Sequence, residues 1–333
     1  MESKNFPFNP LEWPICLDLP RKMNAIAWQE HIPFAMALIQ MIKPRVLVEL
    51  GVHTGDSYLA FCQAVSVSGI STACYGVDTW QGDPHAGFYG DEVLRELKVF
   101  HDPNYSAFSR LIQGTFDDAA THIADGSVDL LHIDGLHTYE AVKHDWEKWH
   151  PKVSSSAVVL FHDTNVRERD FGVWRLWEEI RTQHRHFEFL HGHGLGMLVI
   201  GSEIPASLNS FLSFAEQDPE SARKFFFALG NRLTLCAQCA RDSTSIDGLQ
   251  SKILEYDALC RARGDEIGKL VEALSAKGDE IRKLNETHGT LSAEIKKLKE
   301  DYECISTGTS FRVGRTITAP LRFLMGNRTG KTR

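Results

Sequence analysis

Between Arg45 and Ser202 short apolar runs alternate with helical stretches, and this alternation confines the chain to an α/β fold more tightly than any other feature. The runs are RVLVELG (Arg45 to Gly51), CYGVDTW (Cys74 to Trp80), SRLIQGT (Ser109 to Thr115), VDLLHIDG (Val128 to Gly135) and AVVLFHDT (Ala157 to Thr164). Each is aliphatic or β-branched on both faces at its centre, as parallel strands buried on two sides are. The intervening stretch Thr138 to His150 carries Ala141, Val142, Asp145, Trp146 and Trp149 at three- and four-residue spacing, the period of a helix. The pattern then changes. HFEFLHG (His186 to Gly192) and LGMLVIGS (Leu195 to Ser202) are joined by a His/Gly turn too short for a parallel crossover, so they form an antiparallel hairpin. The expected architecture is a Rossmann-like, seven-stranded sheet closed by an antiparallel strand.

The first strand runs into VLVELGVHTGDS (Val46 to Ser57), in which Gly51 and Gly55 permit tight turning and close backbone approach. In an open α/β sheet the ligand crevice lies beyond the carboxyl ends of the strands. The following helix offers free backbone N–H groups to a carboxylate there. Glu49 is placed to receive an ammonium group, directly or through water, and His53, Thr54 and Ser57 complete the turn. The spacing E-L-G-x-x-x-G differs from the G-x-G-x-x-G of nicotinamide enzymes. Asp78, after the second strand, is placed to accept hydrogen bonds from two ribose hydroxyls, and Thr115, Phe116 and Asp117, after the third, to flank an adenine. Glycine turn, acid and closing hairpin together point to S-adenosylmethionine (SAM).

The fourth and fifth strands end in IDGLHTYE (Ile133 to Glu140) and FHDT (Phe161 to Thr164), at the same crevice. Asp134, His137, His162 and Asp163 therefore converge from distant points of the chain. Carboxylates with imidazole suit a divalent cation or a general base for a hydroxyl. His137, His162 and Asp134 are the catalytic candidates: either histidine is the base, and Asp134 with Asp163 positions a metal or the acceptor. Asp145, inside the helix, reads as an ion-pair partner. The loop QGDPHAGFY offers Asp83, His85 and Tyr89 to an acceptor at the mouth of the crevice.

Ile204 to Arg241 reads as helical. Beyond it Ile246, Ile253, Cys260, Ile267, Leu274, Ile281, His288, Ile295 and Tyr302 keep one seven-residue register, with Leu249, Tyr256, Arg263, Leu270, Lys277, Leu284, Leu291, Leu298 and Ile305 three residues later. Such a pattern, dense in charge between the apolar positions, predicts a coiled coil, with Ile at the first position and Leu at the second favouring a parallel dimer, although Arg263 and Lys277 weaken the seam. The alternative is a long single helix packed on its own domain. Phe311 to Arg333 holds Arg312, Arg315, Arg322, Arg328, Lys331 and Arg333 without an acid, a solvated terminus or one that touches an acidic surface. The net charge of −8 argues against a nucleic-acid binder. The longest apolar stretch, Pro33 to Ile42, is too short to span a bilayer, and Met1 to Phe6 leads into no secretory h-region. The lone Cys236/Cys239 pair lacks the second pair that a zinc site needs. These features, with unpatterned cysteines, lead us to expect a cytoplasmic protein.

VELGVHTGDSY, VDTWQGDPHAGFYG, LLHIDGLHTYEAVKHDWEKW, VVLFHDTNVRERDFGVWRLWEE and HGHGLGMLVIG together resemble a bacterial family of class I SAM-dependent methyltransferases, whose members occur beside or fused to glycosyltransferases of surface-polysaccharide synthesis. The chain is similar, more distantly, to metal-dependent sugar O-methyltransferases. In those an Asp after the fourth strand and an acidic pair after the fifth hold magnesium; here Asp134 and Asp163 match and His162 replaces one acid. SFRVGRTITAPLRFL (Ser310 to Leu324) is similar to a segment that follows coiled coils in bacterial glycan-assembly proteins. The resemblance implies an O-methyltransferase using SAM, with Mg2+ or another divalent cation, on a glycan or glycolipid acceptor. The partners it implies are glycosyltransferases, and the charge of the basic tail separately adds contact with the inner face of the membrane. The alternative is a non-catalytic scaffold of the same fold that recruits glycosyltransferases through its coil. The expected divisions are 1–203, methyltransferase domain; 204–241, helical extension; 242–305, coiled coil; and 306–333, basic tail. Removing Ile246 to Arg333 is expected to abolish oligomerisation and leave cofactor affinity intact; a truncated chain of unchanged assembly mass in solution scattering would contradict this.

Overall fold

A computed structural model describes residues 9–24, 26–310 and 312–317, with the side chains of Ile26 and Ala27 left out. Met1 to Phe6 and the tail residues Arg322, Arg328, Lys331 and Arg333 lie outside the described residues. The chain divides into two compact units, the first ending at Thr244 and the second beginning at Ser245.

The first unit is built on seven strands: β1 (Val46–Leu50), β2 (Ala73–Asp78), β3 (Ser109–Gln113), β4 (Val128–Ile133), β5 (Val153–His162), β6 (Arg185–Phe189) and β7 (Leu195–Val199). Their order in the sheet is β3-β2-β1-β4-β5-β7-β6. β1 pairs in parallel with β2 on one side and with β4 on the other, Leu50 standing opposite both Val77 and Ile133. The connection order reverses between β1 and β4, and there the carboxyl ends open a crevice. β7 runs antiparallel between β5 and β6. Every residue of β4 is buried, which is why its run is apolar without alternation. The turn residues Gly51, Trp80, Thr115 and Gly135 of the sequence runs fall just beyond the strand ends. β5 starts earlier than its apolar run because its polar start has partners: Ser154 donates to Asp129 Oδ1, which Arg45 also engages.

The β6–β7 turn folds back onto the carboxyl end of β5. His193 and the glycines at 192 and 194 take positive φ, and Asp163 N donates to the Gly194 carbonyl (3.0 Å) while Asn165 N donates to that of His193 (2.8 Å). These two bonds lace the closing hairpin to the residues just past β5.

Helices α1 (Ile32–Ile42) and α2 (Asp56–Ser68) pack together over one side of the sheet. Further helices are α3 (Asp91–Tyr105), α4 (Phe116–Ala120), α5 (Tyr139–Trp149), α6 (Val173–Ile180), α7 (Ala206–Gln217) and α8 (Pro219–Thr307), and a four-residue helix, Ile26–Gln29, precedes α1. α7 buries Leu208, Phe211, Leu212 and Ala215, and α8 buries Ala222, Phe226, Gly230 and Leu233 near its start. Phe34 of α1 meets Phe189, Phe211 and Phe226 at 4.6, 5.4 and 5.2 Å between ring centres, so both helices complete the core of the first unit. Gly230 is required there, since a Cβ would lie 2.2 Å from the Glu30 carbonyl oxygen.

In the second unit the heptad residues from Ile246 to Ile305 stand exposed along α8. Cys236 and Cys239 are exposed free thiols. Among the described residues no helix is long and apolar enough to cross a membrane. Phe226→Ala is expected to cost about 3–5 kcal/mol by removing a buried ring. Urea unfolding followed by circular dichroism measures this, and a loss too small to resolve would remove α8 from the core.

Candidate active site

The carboxyl ends of β1, β2, β4 and β5 surround a cavity of about 430 Å³. The turn after β1 is shaped by Gly51 at φ +91° and Gly55 at φ +88°. At Gly51 a Cβ would come within 1.9 Å of the Asp134 carbonyl oxygen, so any side chain there would force β1 and β4 apart. Gly55 caps α2 without a side-chain bond, leaving backbone N–H groups at the helix start for a ligand. His53 and Thr54 lie in the wall, and Thr54 Oγ1 donates to Asp56 Oδ2 (2.7 Å).

Asp78 is in the wall with its carboxylate already oriented: Oδ2 accepts from His53 N (2.8 Å) and Oδ1 from Trp80 N (2.7 Å). Each oxygen keeps a lone pair for a further donor. Glu49 stands one layer back. It is fully buried, takes a hydrogen bond from Ser57 Oγ (2.7 Å) and lies 3.1 Å from His132 Nδ1, while Ser57 itself faces the cavity. Burial pushes the Glu49 carboxyl up, against His132 and Ser57. Of the adenine candidates Phe116 is in the wall, against Gly135. Thr115 instead caps α4 through Asp118 N, and Asp117 bonds His144 Nε2 at 2.9 Å. Asp145 has no ion pair among the described residues. It is buried behind Gly135, and burial pushes its carboxyl up to about 7. The reading of Asp145 as an ion-pair partner is therefore corrected: its helix face turns inward.

At the other end of the cavity Asp134, His137, His162 and Asp163 come together. His137 Nε2 lies 2.9 Å from Asp163 Oδ2 and 3.5 Å from Asp134 Oδ1. His162 Nδ1 lies 3.4 Å from each of the same two oxygens, and its Nε2 donates to the Gly192 carbonyl (3.0 Å). One oxygen each of Asp134 and Asp163 and one nitrogen of His162 fall within 4.8 Å of one another, the spacing of a cation's ligand set. Asp163 takes φ +63°, a left-handed backbone that turns β5 toward the hairpin. Burial disfavours all four charges, but each is outweighed by its neighbours. His137 is pushed up to about 9 by Asp134 and Asp163, and His162 is raised as well. Both carboxyls are held well below the usual carboxylate range by His162 and His137.

Two loops roof the cavity. The loop after β2 forms a small ladder, Gly82 opposite Phe88, and Asp83 Oδ1 accepts from His85 N and Ala86 N. His85 Nε2 bonds Asp170 Oδ1 (2.9 Å), and the His85, His137 and Phe171 rings meet one another, Phe171 at 4.5 Å from His85 and 4.6 Å from His137 and the two imidazoles at 5.5 Å. Asp83, His85 and Tyr89 thus reach the wall as the sequence suggested. Trp28, Arg169, Phe171 and His193 line it too. The sequence singled out none of these four as site residues, although Arg169, Phe171 and His193 lie inside the blocks that carry the family resemblance; Trp28 lies outside them.

A seven-stranded sheet in this order, with a glycine turn after β1 and an acid after β2, defines the class I methyltransferase fold. Residues 48–164 match the family model of a methyltransferase domain. An uncharacterized protein of Sinorhizobium fredii (strain NBRC 101917 / NGR234) is 52% identical over 182 residues, or 55% of this chain; the alignment spans 20% of that longer protein. A methyltransferase from Geobacter sulfurreducens is similar in structure, at 17% identity and a TM-score of 0.38 over 51% of this chain and 78% of its own. A Podospora anserina methyltransferase with bound SAH is similar at 11% identity and a TM-score of 0.39, over 51% of this chain and 77% of its own.

The four-group cluster makes stability depend on pH. His137 has a folded pKa of about 9, above its unfolded value of about 6.5, so its contribution is complete below the latter and lost as pH rises through the former. The melting temperature of the ligand-free protein is therefore expected to fall between those values, and less steeply in His137→Gln. Calorimetric melting that is flat across this window would contradict the pairing.

Proposed function

We propose that this chain is a SAM-dependent O-methyltransferase acting on a sugar hydroxyl in bacterial surface-glycan or glycolipid synthesis. The observation that carries the reading is the meeting, in one cavity, of the glycine turn and Asp78 with the Asp134, His137, His162 and Asp163 cluster. The residues present fit SAM: the cradle at Gly51 admits no Cβ, Asp78 has both oxygens oriented, and the α2 start and Phe116 face the same space. When bound, SAM supplies a methyl group on a sulfonium centre. The chain must then align an acceptor oxygen and take up its proton.

Asp134, His162 and Asp163 fit a divalent cation, Mg2+ or a first-row ion that tolerates imidazole such as Mn2+. A bound cation supplies Lewis acidity that lowers the pKa of a hydroxyl. The donation from His162 Nε2 to the Gly192 carbonyl leaves Nδ1 for this role, so His162 is a ligand in this reading rather than the base. His137 is the base. Its Nε2 faces Asp163 and Asp134, which in the ligand-free protein hold it protonated up to about pH 9; with the charge of those carboxylates offset by a bound cation, the imidazole is left neutral to take the hydroxyl proton. His85 and Phe171, stacked beside it, restrict water.

The sugar acceptor rests on the resemblance of the sequence blocks, as do glycosyltransferase partners. The exposed heptad stripe on α8 supports a homo-oligomer formed through a coiled coil. Expected in a calorimetric titration is SAM binding that Asp78→Ala weakens about 10- to 100-fold, through lost charge-assisted hydrogen bonds. His137→Gln is expected to lower the rate of methyl transfer about 10²- to 10⁴-fold with SAM affinity kept. Folded protein that binds no SAM would sink the proposal.

A further inference from the structure

We infer that Trp28 is a positioning residue of the cation centre: its indole N–H holds one oxygen of Asp134 so that the other is presented with His162 and Asp163. Trp28 lies outside the segment 48–164 that matches the methyltransferase model, on the short helix Ile26–Gln29. Its Nε1 donates to Asp134 Oδ2 at 3.1 Å, while Asp134 Oδ1 faces His162 Nδ1 and His137 Nε2. The Trp28 ring is tilted over His162 with centroids 5.6 Å apart, and its edge meets His132 at 4.9 Å. Trp28 is 5% exposed, so the bond is shielded from competing water.

The opposite ligand is held in the same manner. A carbonyl can only accept, so the Gly192 oxygen fixes the hydrogen of His162 on Nε2. The same oxygen accepts from His31 Nε2 at 3.0 Å. Residues 28–31 therefore brace the far side of two ligands at once. Outer partners of this kind set ligand orientation, and their loss weakens cation binding about 10- to 100-fold.

The inference rests on the reading of Asp134, His162 and Asp163 as ligands, and the test separates the two. The full chain is titrated calorimetrically with MnCl2, as wild type, as Trp28→Phe and with β-(3-benzothienyl)alanine at position 28. The last keeps the bicyclic ring and removes only the N–H, so it covers the case in which Trp28→Phe fails to fold. Expected is Mn2+ binding by the wild type, weakened about 10-fold or more in both variants, with SAM affinity unchanged. Equal Mn2+ affinity in wild type and the benzothienyl form overturns the role of Trp28 and leaves the ligand set standing. SAM affinity lost in parallel also overturns it, by showing a general packing role. Absence of Mn2+ binding in the wild type overturns the ligand reading and this inference with it.

Discussion

The close approach of Gly51 to the Asp134 carbonyl is the contact on which the site depends. β1 and β4 are neighbours in the sheet, and the Asp134 N–H donates back to the Leu50 carbonyl (2.8 Å). The turn after β1 and the turn after β4 therefore share one narrow space. With no side chain at 51, that space is a cradle continuous with the carboxylate of Asp134. A side chain there would separate the glycine turn after β1 from the cluster around Asp134, whatever the other residues were.

The cluster beyond that contact is costly to build. Charges removed from water are tolerated only when paired and hydrogen-bonded. Here two carboxylates face two imidazoles, and three of the four groups have a polar outer partner, Trp28 for Asp134, the Gly192 carbonyl for His162 and His193 for Asp163, while His137 stacks on His85 and Phe171. The hairpin that closes the sheet supplies two of these. Its role is thus double, since it ends the sheet with an antiparallel strand and carries a turn back over the end of β5. Positive φ at Asp163 and His193 marks where the backbone is bent to do so.

Much of this was legible in the chain. Runs without alternation showed the buried parallel strands, the short His/Gly link showed the hairpin, and glycines and acids at strand ends showed the crevice, because each follows from local period and turn chemistry. Asp134, His137, His162 and Asp163 were legible as a group because strand ends in a parallel sheet face one edge. Thr115, Phe116 and Asp117 show the limit. Three consecutive residues point three ways, and only Phe116 reaches the cavity, since the first caps a helix and the third meets His144. Glu49 shows it as well: strand position placed it at the site, and side-chain direction put it behind Ser57.

The sequence by itself determined the elements, their order along the chain and the residue types at the strand ends, because these depend on hydrophobic period, glycine and short-range turns. Tertiary structure alone decided which atoms meet. Trp28 comes to Asp134 across 106 positions of sequence, and the Gly192 carbonyl, a backbone atom with no identity in the sequence, orients His162. No periodicity encodes a bond between a side chain on one segment and a carbonyl on another. Such a bond exists only once the sheet has brought both to the same edge.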